Sequence, residues 1–195
     1  DEKYTTLRGL IEKKSCPTIV YVSRTKRTHE LAEKLTEDGF TAKPFNGKMD
    51  SIEKVENQED FIAGRVQIIV ATSAFGMGVD KKDVGLVVHY DISDSLENYV
   101  QEAGRAGRDG KLSYAVQVWN STDIARLTRI MNASFPSIEY IEDIYQKVHA
   151  FLGIPYGGGE MCQARFSLED FCQKFSFKES QAYYAIKYIE REGHW

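Results

Sequence analysis

Residues 101–110, Gln-Glu-Ala-Gly-Arg-Ala-Gly-Arg-Asp-Gly, combine two arginines with three glycines. Arg105 and Arg108 carry planar, permanently charged guanidinium groups, each able to contact a phosphate through two hydrogen bonds. The glycines, among them Gly104 and Gly107, permit positive φ and let the backbone approach a ligand closely. The segment is typical of an arginine-finger loop, which stabilises charge on a transferring phosphoryl group. The alternative is a surface turn with two solvated arginines, because short motifs produce false matches.

Apolar runs that alternate with amphipathic segments predict the elements that position this loop. Five runs are expected to form strands: 18–22, 41–45, 66–71, 85–89 and 113–119. The run at 66–71 is very apolar, so we expect it to be central. A capping-box pattern, Asp94-Ser-Leu-Glu97, opens the helix that leads through Gln101 into the loop. This alternation predicts an α/β fold in which a parallel sheet carries helices on both faces.

Polar segments follow three of the predicted strands directly. Ser23-Arg24 follows the first strand, Asn46-Gly47-Lys48 the second, and a segment from Thr72 to Asp80 the third. In an open parallel sheet, ligands bind at the carboxyl ends of the strands. Hydroxyls and cations before a helix form a natural phosphate site. For Ser23-Arg24 taken alone, an ordinary helix cap is the better interpretation.

Composition limits the classes of protein and partner. The chain has 195 residues, 42% of them hydrophobic, which suits one ordinary domain and a smaller one. The net charge of −4 argues against general attraction to nucleic acid, so any such contact must be made by local loops. No apolar run reaches the length of a membrane span, and no signal-peptide pattern is present. We therefore expect a cytoplasmic protein without a membrane partner.

The sequence after residue 133 predicts a separate, mostly helical segment. We place one lobe at 1–133 and the helical segment at 134–195. A capping-box pattern, Ser176-Phe-Lys-Glu179, is expected to open the last helix, shortly after another short helix at 166–175. Two short helices joined by a tight turn indicate a helix-turn-helix or a partial winged helix.

The last helix carries cations and polar groups that could form an exposed face. Lys178, Gln181 and Lys187 fall there together with Tyr184 and Tyr188. One interpretation is contact with duplex DNA. A packing helix in a small bundle explains the same pattern equally well, because a fold analogy alone does not establish a site.

Three segments that recur in one order carry a family resemblance. Ser23-Arg24 after a strand, Ala71-Thr-Ser-Ala-Phe-Gly-Met-Gly-Val-Asp80 after another, and 101–110 after a helix resemble the second RecA-like lobe of superfamily 2 helicases. The string at 71–78, followed by His-Tyr-Asp at 89–91, is similar to the RecQ family of DNA helicases in particular. The resemblance covers roughly residues 15–130, and its motifs are long and ordered.

The resemblance implies how the residues divide an ATP site. In such helicases ATP with Mg²⁺ lies between two lobes, and the first lobe brings the phosphate loop and the magnesium-binding acidic motif. Arg108 would contact the γ-phosphate, and Arg105 would lie beside it or link to the other lobe. Gln101 would orient the loop or bond across the interface. Gly78 and Asp80 would lie near the ribose or the lobe interface.

The resemblance also implies a track for a DNA strand. The residues expected to hold its phosphates are Ser23, Arg24, Gly47, Lys48 and Thr72. Phosphate contacts hold position without reading sequence, as a translocating motor requires. The expected partners are single-stranded DNA and fork junctions, with unwinding in the 3′–5′ direction and roles in DNA repair and recombination. A bacterial protein of this kind would associate with the nucleoid.

Two family features are not found in the sequence. No G-x-x-x-x-G-K-S/T phosphate loop occurs, so we expect the first RecA-like lobe elsewhere in the same parent chain, and no ATP hydrolysis or unwinding by these residues alone. RecQ helicases usually follow this lobe with a zinc module held by four cysteines. Here Cys162 and Cys172 lack partners at zinc-ligand spacing, so we predict no zinc, which leaves the sub-branch open.

Other interpretations of the sequence stay open. The chain could be a non-catalytic module that uses the arginine loop on nucleic-acid phosphates, or a motor of the same superfamily directed to RNA. His89 follows a predicted strand near the expected DNA side, and a structural role fits that position as well as a functional one.

Overall fold

The computed structural model describes residues 2–75, 79–156, 158 and 162–194. Within them the elements are, in order, α1 (Glu2–Lys14), β1 (Thr18–Tyr21), α2 (Thr25–Glu37), β2 (Ala42–Phe45), α3 (Ser51–Ile62), β3 (Ile68–Ala71), β4 (Leu86–His89), α4 (Leu96–Ala103), β5 (Tyr114–Gln117), α5 (Ser121–Ser134), α6 (Ile138–Leu152), α7 (Leu168–Phe175) and α8 (Glu179–Arg191). No helix in these ranges is both long and apolar enough to cross a membrane.

The five strands form one parallel sheet in the order β2-β3-β1-β4-β5. Tyr21 lies opposite both Ala71 and His89, so β1, β3 and β4 end level with one another. The parallel α/β fold predicted from the sequence is confirmed. The prediction that β3 is central was wrong, because β1 holds that place. Every residue of β1, β3 and β4 is buried. A strongly apolar strand therefore indicates that both faces of the sheet are covered at that strand, but it does not indicate the position of the strand in the sheet.

Alternate residues of each strand face two separate layers of core, since successive side chains point to opposite faces. On one face, α1 and α2 pack their buried leucines against Val20 and Val88. On the other face, Phe61 of α3 and Phe75 of the loop after β3 pack against Ile19. Helices therefore cover both faces, as the sequence predicted.

The chain divides into two compact units, residues 1–123 and 124–195. The division falls within α5, near its N-terminal end. The boundary that the sequence predicts after residue 133, close to the end of the same helix, stays a prediction. In the second unit α6, α7 and α8 pack around a core that includes Ile144, Phe171 and Ala185. Three packed helices of this kind agree with the predicted mostly helical segment.

Two helix starts differ from the sequence prediction. Ser176 does not cap α8 but ends α7 in a left-handed conformation, with φ of 59° and its N–H bonded to the carbonyl of Cys172. Lys178 precedes α8 without a side-chain cap. The chain must reverse direction between the two helices, and Ser176 makes that reversal. At α4 the cap is Ser95, whose Oγ accepts from the N–H of Asn98 at 3.1 Å, and not Asp94.

Candidate functional site

A small cleft lies at the carboxyl ends of β1, β3 and β4. Its lining is mostly hydroxyl and carboxyl groups, from Ser23, Thr72, Ser73, Asp91, Ser93, Asp94 and Glu102 among others. Ser23 and Thr72 were expected on one DNA track from separate motifs, and the level ends of β1 and β3 bring them into this one cleft. The location agrees with the rule that ligands bind at the carboxyl edge of a parallel sheet.

Asp91 organises the turn after β1. Its carboxylate is almost fully buried and accepts hydrogen bonds from the backbone N–H of Ser23 at 2.9 Å and the Ser23 hydroxyl at 3.0 Å. It also accepts from the guanidinium of Arg27. A serine hydroxyl has one proton to donate, and that of Ser23 is directed to Asp91. Ser23 can therefore meet a ligand only as an acceptor, whereas neighbouring Arg24 is exposed.

The turn after β2 is held by a buried asparagine that the sequence did not single out. Asn46 is fully buried, donates from Nδ2 to the hydroxyl of Thr28 at 2.8 Å, and accepts the N–H of Lys48 at 3.0 Å. These bonds attach the turn to the first part of α2. Gly47 and Lys48 are exposed, and a Cβ placed on Gly47 would lie 4.0 Å from that of Ala74. The loops after β1, β2 and β3 thus gather at one edge.

The arginine loop begins where α4 ends at Gly104. Gly107 has φ of +70°, and its N–H donates to the carbonyl of Val84 at 2.9 Å, which attaches the loop to the segment before β4. A Cβ on Gly107 would come within 2.3 Å of the Ser113 hydroxyl. The sequence predicted that the backbone at these glycines approaches a ligand closely. At Gly107 the backbone instead approaches Ser113 of the same chain.

The two arginines occupy different surroundings. Arg108 is exposed, and its Nε bonds the carbonyl of Gly104 at 3.3 Å. Arg105 is half-buried, and its Nε is buried without a hydrogen-bond partner among the described residues. Burial raises the pKa of Tyr21, and the nearby positive charge of Arg105 opposes that rise. Arg105 therefore lies against the end of β1, while Arg108 is accessible to a ligand.

A buried pair beneath the loop joins it to the sheet. His89 is fully buried, and its Nε2 lies 2.9 Å from a carboxyl oxygen of Glu102, which also accepts from the hydroxyl of Ser93 at 3.1 Å. The His89 ring stacks on Tyr21, with centroids 5.3 Å apart, and contacts Tyr99 at 4.6 Å. The sequence left the role of His89 open and gave Glu102 none. The structure places both directly below the arginine loop.

The remaining predicted residues are only partly located. Gly78 lies in the segment 76–78, outside the described residues, and Asp80 and Gln101 are exposed. In the helical unit Lys178 and Lys187 are exposed and Gln181 is half-buried. Lys187 pairs with Glu190 of its own helix at 2.6 Å, so part of its charge is already balanced.

Among the described residues, no group of three or more His, Cys, Asp or Glu side chains could hold a metal ion. Cys16, Cys162 and Cys172 are all free thiols. The expectation that no zinc is bound stays a prediction.

Comparison with protein families gives a match over most of the first unit. The helicase conserved C-terminal domain matches residues 2–110. The ATP-dependent DNA helicase Q-like SIM of Arabidopsis thaliana is 36% identical over 179 residues, 91% of this chain and 19% of that protein. The ATP-dependent DNA helicase RecQ of Haemophilus influenzae is 36% identical over 135 residues, 67% of this chain and 22% of that protein. This chain thus spans about a fifth of the length of these curated relatives.

Solved structures give the same fold. A DEAD box protein from the hyperthermophile Methanococcus jannaschii matches with a TM-score of 0.59 and 27% identity, over 68% of this chain and 36% of that one. The E. coli DEAD-box protein SrmB, bound to the regulator of ribonuclease activity A, matches with a TM-score of 0.59 and 30% identity, over 65% and 75% of the two chains. The resemblance to RecQ-family helicases and the RecA-like fold predicted from the sequence are confirmed.

Proposed function

This chain belongs to the helicase conserved C-terminal domain family, and we propose that it is the second motor lobe of an ATP-dependent DNA helicase of the RecQ type. One observation carries the proposal. The loop that holds Arg105 and Arg108 bonds through Gly107 to the segment before β4, brings the charge of Arg105 close to Tyr21 at the end of β1, and presents Arg108 to solvent.

The arginine loop fits the phosphate end of a nucleotide. Arg108 contacts the γ-phosphate, and Arg105, whose buried Nε lacks a partner among the described residues, adds a second positive charge beside it. Gly104 allows the backbone to come close, and Gln101 orients the loop from the exposed side of α4. We assign the phosphate loop and the magnesium ion to a first RecA-like lobe of the same protein. An arginine placed this way is worth about 10³–10⁵ in rate.

The loops at the carboxyl edge provide contacts for a DNA strand. Arg24 and Lys48 are exposed cations on the turns after β1 and β2, and Thr72, which follows β3, offers a half-buried hydroxyl between them. The cleft that they border contains the carboxyl groups of Asp91 and Glu102, which repel phosphate. The strand therefore follows the rim of the cleft, where the cations lie. The same proposal includes movement in the 3′–5′ direction on single strands and fork junctions. It also includes a role in DNA repair and recombination.

The test uses the two-lobe protein, meaning a protein in which this chain follows a nucleotide-binding lobe. Arg108→Ala should lower DNA-stimulated ATP turnover by about 10³-fold or more, because the charge redistributed on the phosphates loses its counterion. DNA binding should change by less than about threefold, since Arg108 is not among the strand contacts. Lys111→Ala removes an exposed cation from the same loop and is the matched control. Wild-type turnover by Arg108→Ala would refute the arginine-finger role.

Two alternatives make different predictions. A non-catalytic nucleic-acid-binding module would bind DNA tightly and salt-dependently as the isolated 195-residue chain, whereas a motor lobe alone should bind weakly and hydrolyse no ATP. An RNA-directed motor would be stimulated more by RNA than by DNA. Measuring ATP turnover of the two-lobe protein with DNA and with RNA separates a DNA-directed motor from an RNA-directed one.

A further inference from the structure

The buried carboxyl group of Glu102 has no part in the proposed contacts with ATP or DNA. Glu102 is 7% exposed and His89 is fully buried, yet both carry polar groups that would cost free energy in an apolar core without partners. Nε2 of His89 and the Glu102 carboxyl group supply one another, with Ser93 as a second donor to that carboxyl group, whereas Nδ1 of His89 has no partner among the described residues. We call Glu102, His89 and Ser93 the carboxyl anchor.

The carboxyl anchor lies at the base of the arginine loop. Glu102 is in the last turn of α4, directly before the helix ends at Gly104, and His89 is the last residue of β4. The bond between them therefore fastens the start of the loop to the sheet. The bond from Gly107 to the carbonyl of Val84 fastens the loop a second time, beyond the glycine that ends the helix. Arg105 is held between these two attachments, and Arg108 directly follows the second.

A chain of ring contacts continues from the carboxyl anchor to the first arginine. The His89 ring stacks on that of Tyr21 with an interplanar angle of 20°. The Tyr21 hydroxyl donates to the carbonyl of Phe75 at 3.3 Å, and the positive charge of Arg105 acts on the same hydroxyl by lowering its pKa against the rise that burial causes. The ring of His89 thus supports the residue against which Arg105 lies. Rigid support of this kind keeps a catalytic group within the narrow geometry that rate enhancement needs.

The same carboxyl group also faces the cleft at the carboxyl edge of the sheet. Glu102 and Ser93 line that cleft together with Ser23 and Thr72. Glu102 therefore stands at the start of the loop proposed for ATP and also lines the cleft bordered by the residues proposed for DNA.

We propose that Glu102 is a positioning residue for the arginine loop, acting through His89 and Ser93. The proposal rests on the proposed function, because it gives Glu102 a role only where Arg108 acts on a nucleotide. Glu102 touches no reacting atom and acts by fixing where the loop starts. Its loss should affect the transition state, in which the arginines are needed, more than the binding of ATP.

The first measurement is steady-state ATP turnover by the two-lobe protein with saturating DNA. Glu102→Ala should lower kcat by about tenfold or more while the KM for ATP changes by less than about threefold. Glu102→Gln should keep kcat within about threefold of wild type, because its amide oxygen can accept from His89 and Ser93. Glu97→Ala changes an exposed glutamate on the same helix and should have no effect. An unchanged kcat in Glu102→Ala would overturn the proposal.

The second measurement is a mutant cycle with both arginines of the loop. If Glu102 acts through the loop, adding Glu102→Ala to a variant that already carries Arg105→Ala and Arg108→Ala should slow turnover no further. Multiplied losses would show that Glu102 acts elsewhere and would overturn the proposal. If Glu102→Ala does not fold, Ser93→Ala takes its place, with an expected loss in kcat of about threefold and rescue by Ser93→Thr.

The outcomes distinguish the two proposals. Wild-type turnover by Arg108→Ala contradicts the proposed function itself. Loss of turnover by Arg108→Ala, with wild-type turnover by Glu102→Ala, leaves the proposed function standing and overturns only the positioning role.

Discussion

Asp91 holds more of the candidate site together than its place in the sequence suggests. Three groups on two elements donate to this one buried carboxylate, and Lys3 of α1 lies 3.8 Å away. The residue thus joins the end of β4 to the turn after β1 and the start of α2. It fixes the direction in which Ser23-Arg24 leaves the sheet.

Asp91→Asn should lower the free energy of unfolding by about 2–4 kcal/mol, because Arg27 and Lys3 lose a buried counter-charge. In addition, an NH2 group, which can only donate, replaces one of the two accepting oxygens. Urea unfolding at neutral pH measures the change. Asp94→Asn is the matched control, since Asp94 lines the same cleft but is exposed. Equal stability of the two variants would contradict the role given to Asp91.

At the residue scale, the motifs named exposed groups and passed over the buried groups that hold the loops. Arg108, Arg24 and Lys48 were named from motifs and all three are exposed, and their contacts with a ligand stay a prediction. Asp91 and Asn46 were missed, because their partners Ser23 and Thr28 lie 68 and 18 residues away in the chain. Such pairs follow from tertiary packing, and no local pattern encodes them. Glu102 gave one usable signal, its position directly before the glycines, and its partner His89 was noted only for its place at the end of a predicted strand.

At the scale of the elements, the arginine loop depends on a backbone conformation that side chains resist. Gly107 and Gly110 both have positive φ, at 70° and 76°. Only Gly107 is crowded, since a Cβ on Gly110 would meet nothing within 4 Å. Substitutions at the two glycines therefore distinguish the free-energy cost of a left-handed backbone from the cost of steric overlap.

Gly107→Ala should lower the free energy of unfolding by about 2–3 kcal/mol, from left-handed strain and from overlap with Ser113. Gly110→Ala should cost only about 1 kcal/mol, because strain alone acts there. Chemical denaturation of the chain compares the two variants. If they proved equally stable, the crowding at Gly107 would not be real. In the two-lobe protein, Gly107→Ala should also slow ATP turnover, as the loop is displaced.

The order and type of the elements could be predicted because each is bounded by clear signals. Pro17 precedes β1, Gly39 follows α2, and Asp50 caps α3 with its side chain on the N–H of Ile52 at 2.9 Å. The sequence predicted a helix start wrongly where one residue suits two different local structures. Ser176 suits both a helix start and a reversal of the chain, and only packing of α7 against α8 decides between them.

For the whole molecule, the net charge of −4 means that the proposed DNA contact must come from a few exposed cations, such as Arg24 and Lys48 at the carboxyl edge. Each phosphate neutralised by a lysine releases a counterion, so binding should depend on salt in proportion to the number of such contacts. The salt dependence of DNA binding by this lobe should therefore be the sum of a few lysine and arginine contributions. The contribution of a single cation should be measurable.

Lys48→Ala should reduce the slope of log affinity against log salt by about one, roughly alike for all DNA sequences. Fluorescence anisotropy with the two-lobe protein and single-stranded DNA, between low and physiological salt, gives this slope. Lys13→Ala removes an equal charge from an exposed position on α1 and should leave the slope unchanged. An identical slope for wild type and Lys48→Ala would exclude Lys48 from the strand contact.

The outer strand β2 has a consequence for how copies of this molecule meet one another. The carbonyls of Thr41 and Phe45 both bond β3, so by alternation the backbone of Pro44 faces away from the sheet. Proline has no N–H to offer there, and its carbonyl already accepts from the side-chain amide of Asn57 at 2.9 Å. A strand from a second molecule would find a missing donor where it needs a partner. This edge is therefore built to resist aggregation through strand addition.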